Sequence, residues 1–100
     1  MDAVFKALAD QSRRKLLDEL RHDNGQTLTR LCGQLDMTRQ AVAKHLSALD
    51  EAGLVASSRE GREVRYRLTP APMAEAASWM AEVGAEWDRR LQALRRHLSR

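Results

Sequence analysis

MTRQAVAKHLSAL, residues 37–49, is the stretch on which the rest of the chain is organised. At about 100° per residue, Val42, Leu46 and Leu49 share one stripe, with His45 at its margin. Gln40, Lys44 and Ser47 lie on the opposite face. Thr38 is placed to cap the helix, because its hydroxyl can accept from an orphan amide of the first turn. Arg39 follows at one flank. The outward groups include no acid; Asp50 and Glu51 come only at the far end. Such a front end suits the major groove of duplex DNA, where long donors meet purine edges and phosphates. A plain amphipathic helix with a solvated basic face shows the same pattern, so the flanking segments decide.

Upstream, Leu28, Leu31, Cys32 and Leu35 recur at i, i+3, i+4 and i+7, the period of one buried helical stripe. Either Thr27 or Thr29 can cap it. Gly33 in its middle costs about 1 kcal/mol relative to Ala, which suggests a close approach at that point. Only Asp36 and Met37 separate this helix from Thr38. Two helices joined by so short a turn cross steeply, as in a helix-turn-helix, and the first can brace the second across a groove.

Downstream, Gly53 is a natural residue to end the helix in the left-handed region. Leu54 to Arg59 reads as a strand and Glu60 to Glu63 as a turn. Val64, Tyr66 and Leu68 then alternate with Arg65 and Arg67, the period of a half-buried strand. The product is a hairpin, or wing, with a charged tip and an Arg-rich outer face. Arg62 at the tip is expected on DNA. Arg65 and Arg67 serve either DNA or edge protection, since charges on an edge strand also deter strand-to-strand association. The expected fold is mainly α with a small β-hairpin: a helix-turn-helix over 28–52, a wing over 54–69 and a long terminal helix over 71–98, all in one domain.

The ends fit this frame. Asp2 to Ala9 is a short helix with Val4, Phe5 and Leu8 apolar. Asp10 caps a second helix running to about His22, with Leu16, Leu17 and Leu20 inward. Arg13, Arg14 and Lys15 crowd its first turn, where the helix dipole disfavours cations, and are expected in solvent. Asp23-Asn24-Gly25 is a turn signal. After Pro70 and Pro72, a helical stripe runs through Met73, Ala76, Met80, Val83, Trp87, Leu91, Leu94 and Leu98, with Trp79 beside it. A domain of this size cannot cover such a stripe alone, so a partner helix is implied. The expected homodimer interface comprises Val4, Phe5 and Leu8 with Met80, Val83, Trp87, Leu91 and Leu94.

Composition permits this reading. One hundred residues with 43% apolar and 31% charged side chains make about one folded domain. No apolar run is long enough for a membrane span, and Met1-Asp2 opens an amphipathic pattern rather than a secretory signal. The single cysteine, Cys32, forms no intramolecular disulfide and suits a reducing cytoplasm. The net charge of +3 is mild, but residues 1–36 are neutral while 37–69 carry +2 and 70–100 carry +1. The excess leans towards the second helix of the helix-turn-helix and the hairpin, which permits nucleic-acid binding. No Ser/His/Asp arrangement, carboxylate pair or Gly-rich phosphate loop suggests an enzyme, and no catalytic residue or cofactor is expected.

Four segments together resemble the ArsR family of bacterial winged-helix repressors: ALADQSRRKLLDEL (7–20), LTRLCGQLDMTRQAVAKHLSALDEAGLV (28–55), REGREVRYRL (59–68) and WMAEVGAEWDRRLQAL (79–94). The resemblance implies a cytoplasmic homodimeric repressor that blocks promoters at inverted-repeat operators, with first and last helices at the interface. It places DNA contacts on Thr38, Arg39, Gln40 and Lys44, with Arg62 of the wing in an adjacent groove. Ser47, from its helix face, and Arg65, from the hairpin, complete the expected set. Metal-sensing members with a thiolate site carry a Cys-x-Cys pair where this chain has Thr27 and Thr29, whose hydroxyls are poor ligands for soft metals. Members that bind zinc between their last helices use Asp/His and His/Glu pairs; here His97 lacks such a partner, and Asp88 lies near the opposite face. The terminal helix with two tryptophans resembles the metal-independent branch, so no metal ligand is expected. Two other functions remain at this level: a winged-helix protein-interaction module without DNA binding, and a thiol or metal sensor using Cys32.

Overall fold

A computed structural model describes residues 1–99 of the chain. Capping residues set the helix starts. Helix α1 (Asp2–Leu8) is followed by Asp10, whose carboxylate accepts from the amides of Ser12 at 2.8 Å and Arg13 at 3.2 Å to open α2 (Gln11–His22). The Arg13 amide, above all, holds the Asp10 carboxyl below its ordinary value of 3.8, against an opposing desolvation and with help from the Ser12 amide and the nearby His45 and Arg13 charges. Thr27, not Thr29, caps α3 (Leu28–Gln34), accepting from the Arg30 amide at 3.2 Å. Thr38 caps α4 (Arg39–Glu51), accepting from the Ala41 amide at 3.1 Å.

Helix α4 ends as its Gly53 suggests. The Gly53 amide donates to the Asp50 carbonyl and the Leu54 amide to the Leu49 carbonyl, both at 2.9 Å, with Gly53 at φ +77°. This is the Schellman arrangement, in which left-handed backbone lets two orphan carbonyls find donors. It also brings Leu54 under Leu49; both side chains are buried.

Strands β2 (Val55–Glu60) and β3 (Glu63–Leu68) form the hairpin, pairing Glu60 with Glu63 and Val55 with Leu68. Two residues turn the chain: Gly61 at φ +66° and Arg62 at negative φ. Positive φ at the first central position only is the signature of a type II′ turn, whose twist matches the flanking strands. A strand not expected from the sequence, β1 (Gln26–Thr27), pairs with β3, so the sheet is three-stranded and antiparallel in the order β1-β3-β2. The Asn24 side chain accepts from the Leu68 amide at 2.9 Å, and the Gly25 amide donates to the Tyr66 carbonyl at 3.1 Å. Gln26 is buried, its side-chain nitrogen donating to the Glu19 and Asp23 carbonyls at 3.0 and 2.7 Å. It ties the end of α2 to the root of the wing.

The core lies between α1, α2, α3, α4 and the root of the hairpin, built on Leu16, Leu20, Leu31, Val42, Leu46 and Leu49. Val64, expected to face inward, is 43% exposed because the outer end of the wing overhangs beyond the helices. Gly33 is open to solvent with nothing near its missing side chain, so no close approach explains it.

Helix α5 (Pro70–Leu98) has 29 residues, about 43 Å of α-helix. Proline at its first position supplies no amide where none is needed. Only its start is held: Ala76 is buried, and Trp79 meets Phe5 of α1 edge-on with ring centres 5.7 Å apart. The remainder projects, which gives the molecule a longest dimension of 69 Å against 25 and 22 Å for the others.

Candidate nucleic-acid interface

The packed and free faces of α4 separate as the stripe demands. Val42, Leu46 and Leu49 are buried, His45 is half-buried, and Arg39, Gln40, Lys44 and Ser47 are exposed. Thr38 is also exposed; its oxygen is used in the cap, while its hydroxyl hydrogen remains available. Helix α3 braces the front of α4 directly, since the Arg39 guanidinium donates to the Thr29 hydroxyl at 3.1 Å.

Helix and wing meet at a cleft of about 590 Å³, in which Thr27, Thr29 and Arg39 face Arg62 and Val64. Arg39 and Arg62 therefore belong to one concave surface. Among the described residues, neither makes an ion pair, and nor does Lys44. The surface offers two guanidinium groups without ion-pair partners, although Glu63 also lines the cleft and both threonine oxygens already accept hydrogen bonds.

The other wing arginines are differently placed. Pleating puts Arg65 and Arg67 on the face shared with Glu60 and Glu63. The Arg65 guanidinium donates to the Gly25 carbonyl at 2.8 Å and to Glu63 at 2.7 Å, and lies 3.2 Å from Glu60. Arg67 donates to Glu60 at 2.8 Å. Arg65, expected among the DNA contacts, also braces the wing through the Gly25 carbonyl, just ahead of β1. Arg59 was absent from the expected set. Its cross-strand partner is Val64, so it shares the hairpin face turned towards the helices, near the tip. Strict alternation from the buried Val55 through Ser57 would have located it.

Residues 8–58 match a helix-turn-helix domain family. The arsenical resistance operon repressor of Escherichia coli is 33% identical over 97% of this chain and 83% of its own length. The chain belongs to the ArsR family of transcriptional regulators. A helix-turn-helix-type transcriptional regulator of Bacillus subtilis is 52% identical, the match covering 61% of this chain and 73% of the relative. An ArsR-like transcriptional regulator from a Rhodococcus species superimposes with a TM-score of 0.81 at 45% identity, over 93% of this chain and 87% of that one. The homodimeric winged helix-turn-helix DNA-binding domain of a possible ArsR-family regulator from Mycobacterium bovis superimposes with a TM-score of 0.67 at 28% identity, over 85% of this chain and 78% of that one. The winged helix-turn-helix expected from the sequence is thus the observed fold, and this ArsR-family chain is a DNA-binding transcriptional regulator.

The residues expected at a dimer interface fall into three groups. Met80, Val83, Trp87, Leu91 and Leu94 are exposed on α5, Trp87 to 60%. Phe5 and Leu8 are half-buried. Val4, at 4% exposure, belongs to the core of its own chain, because the first turn of α1 points it inward. Arg13 and Arg14, expected in solvent, are partly engaged: Arg13 lies 3.7 Å from Asp10, and Arg14 donates to the Leu8 carbonyl at the end of α1. Cys32 is half-buried and packs against the core. No described helix is long and apolar enough to cross a membrane.

Proposed function

We propose that this regulator is a cytoplasmic homodimeric repressor that reads an inverted-repeat operator through the outer face of α4 and the wing tip. The observation that carries the DNA face is the partition of cations. Arg39, Lys44 and Arg62 lack carboxylate partners among the described residues, whereas Arg65 and Arg67, on the opposite wing face, are ion-paired. Gln40 and Ser47 supply neutral hydrogen-bonding groups for base edges, Thr38 and Arg39 stand at the front of the helix, and Arg62 reaches the backbone beside it. Arg59 joins this surface. Arg65 positions the wing rather than touching DNA.

The exposed stripe of α5 supports a homodimer, and the Mycobacterium bovis neighbour is described as homodimeric. Two-fold symmetry is the default for such a contact. It presents two recognition helices about one turn of DNA apart, roughly 34–36 Å, or a multiple of that spacing. Regulation does not run through a thiolate metal site in this reading. The Thr27 hydroxyl is spent on a helix cap and that of Thr29 on Arg39, and neither is a ligand for a soft metal.

Sedimentation of the intact protein with and without duplex DNA tests the proposal. The expected result is a dimer that binds duplex DNA with an affinity falling steeply as salt rises. Trp87→Ala weakens both dimer and DNA binding, since each half-site alone binds weakly. A stable monomer that binds its operator tightly contradicts the dimer; a dimer indifferent to DNA supports a protein-interaction module instead.

A further inference from the structure

We propose that Thr29 is a positioning residue for DNA binding: its hydroxyl holds the Arg39 guanidinium in the cleft between helix and wing, as a phosphate ligand rather than a reader of bases. This role rests on the DNA face proposed above and gives one of its cations a task. The contact that carries it is the bond from Arg39 to Thr29, at 3.1 Å between residues 10 positions apart. Among the described residues it is the only side-chain hydrogen bond between α3 and α4. Thr27, not Thr29, caps α3, so the Thr29 hydroxyl is not needed to start its own helix.

Arg39 leaves α4 in a different direction from the other exposed groups. At 100° per residue it points about 100° away from Gln40, about 80° from Ser47 and about 140° from Lys44. Those three occupy the outer face. Arg39 turns towards α3 and the wing, and lines the cleft with Thr29, Arg62 and Val64.

A guanidinium presents its N–H donors in a rigid plane. Anchoring one of them on Thr29 fixes that plane and leaves the others to an incoming acceptor. To meet a purine edge beside Gln40, Arg39 has to give up the bond and swing back over the helix. A phosphate in the cleft demands neither. Arg62 lines the same cleft, and two like charges there repel until an anion lies between them. Among the described residues, Glu63 is the one carboxylate that lines the cleft, and its ion pair at 2.7 Å is with Arg65 rather than with Arg39 or Arg62. Both cleft guanidiniums therefore keep their charge for the DNA backbone.

Duplex binding by the intact protein tests the role, with fluorescence anisotropy on two probes: the duplex it enriches from a random library, and an unrelated duplex of equal length. Thr29→Val keeps the β-branched shape of the side chain and removes the acceptor. A dimer loses two such bonds, so Thr29→Val should weaken both probes alike, by roughly five- to tenfold. Thr29→Ser should bind both as the parent does. Arg39→Ala should also weaken both, and adding Thr29→Val to it should cost nothing more, since the two changes remove one interaction. A merely structural role for Thr29 would add its loss to that of Arg39→Ala, and that result overturns the proposal. So would a Thr29→Val protein that binds as the parent does, or one whose loss is confined to the enriched duplex, which would make Arg39 a reader of bases. Undiminished binding of both probes by Arg39→Ala instead fails the DNA face itself, and the role of Thr29 with it.

Discussion

Removing the Arg62 guanidinium should change how DNA binding depends on salt more characteristically than it changes binding at any one salt. Arg62 is exposed at the wing tip and shares a cleft with Arg39, with no carboxylate partner among the described residues. A guanidinium in that position neutralises one phosphate and releases the counterion held there. Each phosphate so contacted contributes about 0.9 to the slope of log K against log salt. A dimer carries two wing tips, so Arg62→Ala should flatten the slope by about 1.8. Between 50 and 200 mM salt this corresponds to roughly a tenfold change: the variant's deficit relative to the parent should be about ten times larger at the lower salt. The fold should be unaffected, because exposed substitutions away from special contacts usually change stability by within about 0.5 kcal/mol. Arg65→Ala is the control. Its charge is already shared with Glu60, Glu63 and the Gly25 carbonyl, so its slope should match the parent's. Fluorescence anisotropy on a labelled duplex at four or five salt concentrations provides the measurement. An unchanged slope in Arg62→Ala, or an equal flattening in Arg65→Ala, would refute the partition of cations on which the DNA face rests.

Gln40→Ala should alter discrimination rather than overall affinity, since a bidentate amide–adenine contact is worth about 1–3 kcal/mol against the wrong base; binding to operators mutated one position at a time reads this directly. Leu49→Ala should cost about 2–5 kcal/mol by urea unfolding, because a fully buried leucine also packed under the Schellman turn leaves a cavity. The Asp10 cap predicts an acid effect of definite sign. Its folded pKa is depressed, so its contribution is fully present above its ordinary value of 3.8 and is lost as pH falls through the lower folded value. Melting temperatures followed from pH 7 to pH 3 should drop less in Asp10→Asn, which keeps a capping oxygen but does not titrate; equal drops would show that the cap is not responsible.

The parts legible in the sequence are those with a local cause. Thr38, the stripe of Val42, Leu46 and Leu49, and Gly53 define α4 within a few residues, because capping, helical period and left-handed backbone act over one or two turns. The hairpin is legible for the same reason: alternation in 64–68 and a glycine at the turn are short-range signals. Strand β1 was not, since two residues carry no periodicity and their pairing with β3 spans some 40 positions. The buried Gln26 follows from that pairing and from two carbonyls at the end of α2, neither of which is local. Arg65 shows the same limit at the site. Its residue type and alternation fit a DNA contact, and only the register of Glu60 against Glu63 adds a second, cross-strand carboxylate beside it. Val4 and Phe5 are neighbours on one short helix. Which turns into the core and which towards α5 depends on how α1 docks, which the sequence pattern of seven residues does not determine.

In the proposed dimer the outer faces of two α4 helices, held by one two-fold axis, read DNA. Selection from a random duplex library by the purified protein, followed by sequencing of what is bound, measures it most directly. The expected product is an enriched inverted repeat whose half-sites are centred about 10–10.5 base pairs apart, or a multiple of that spacing. Enrichment of single unpaired half-sites, or of no sequence at all, would contradict it.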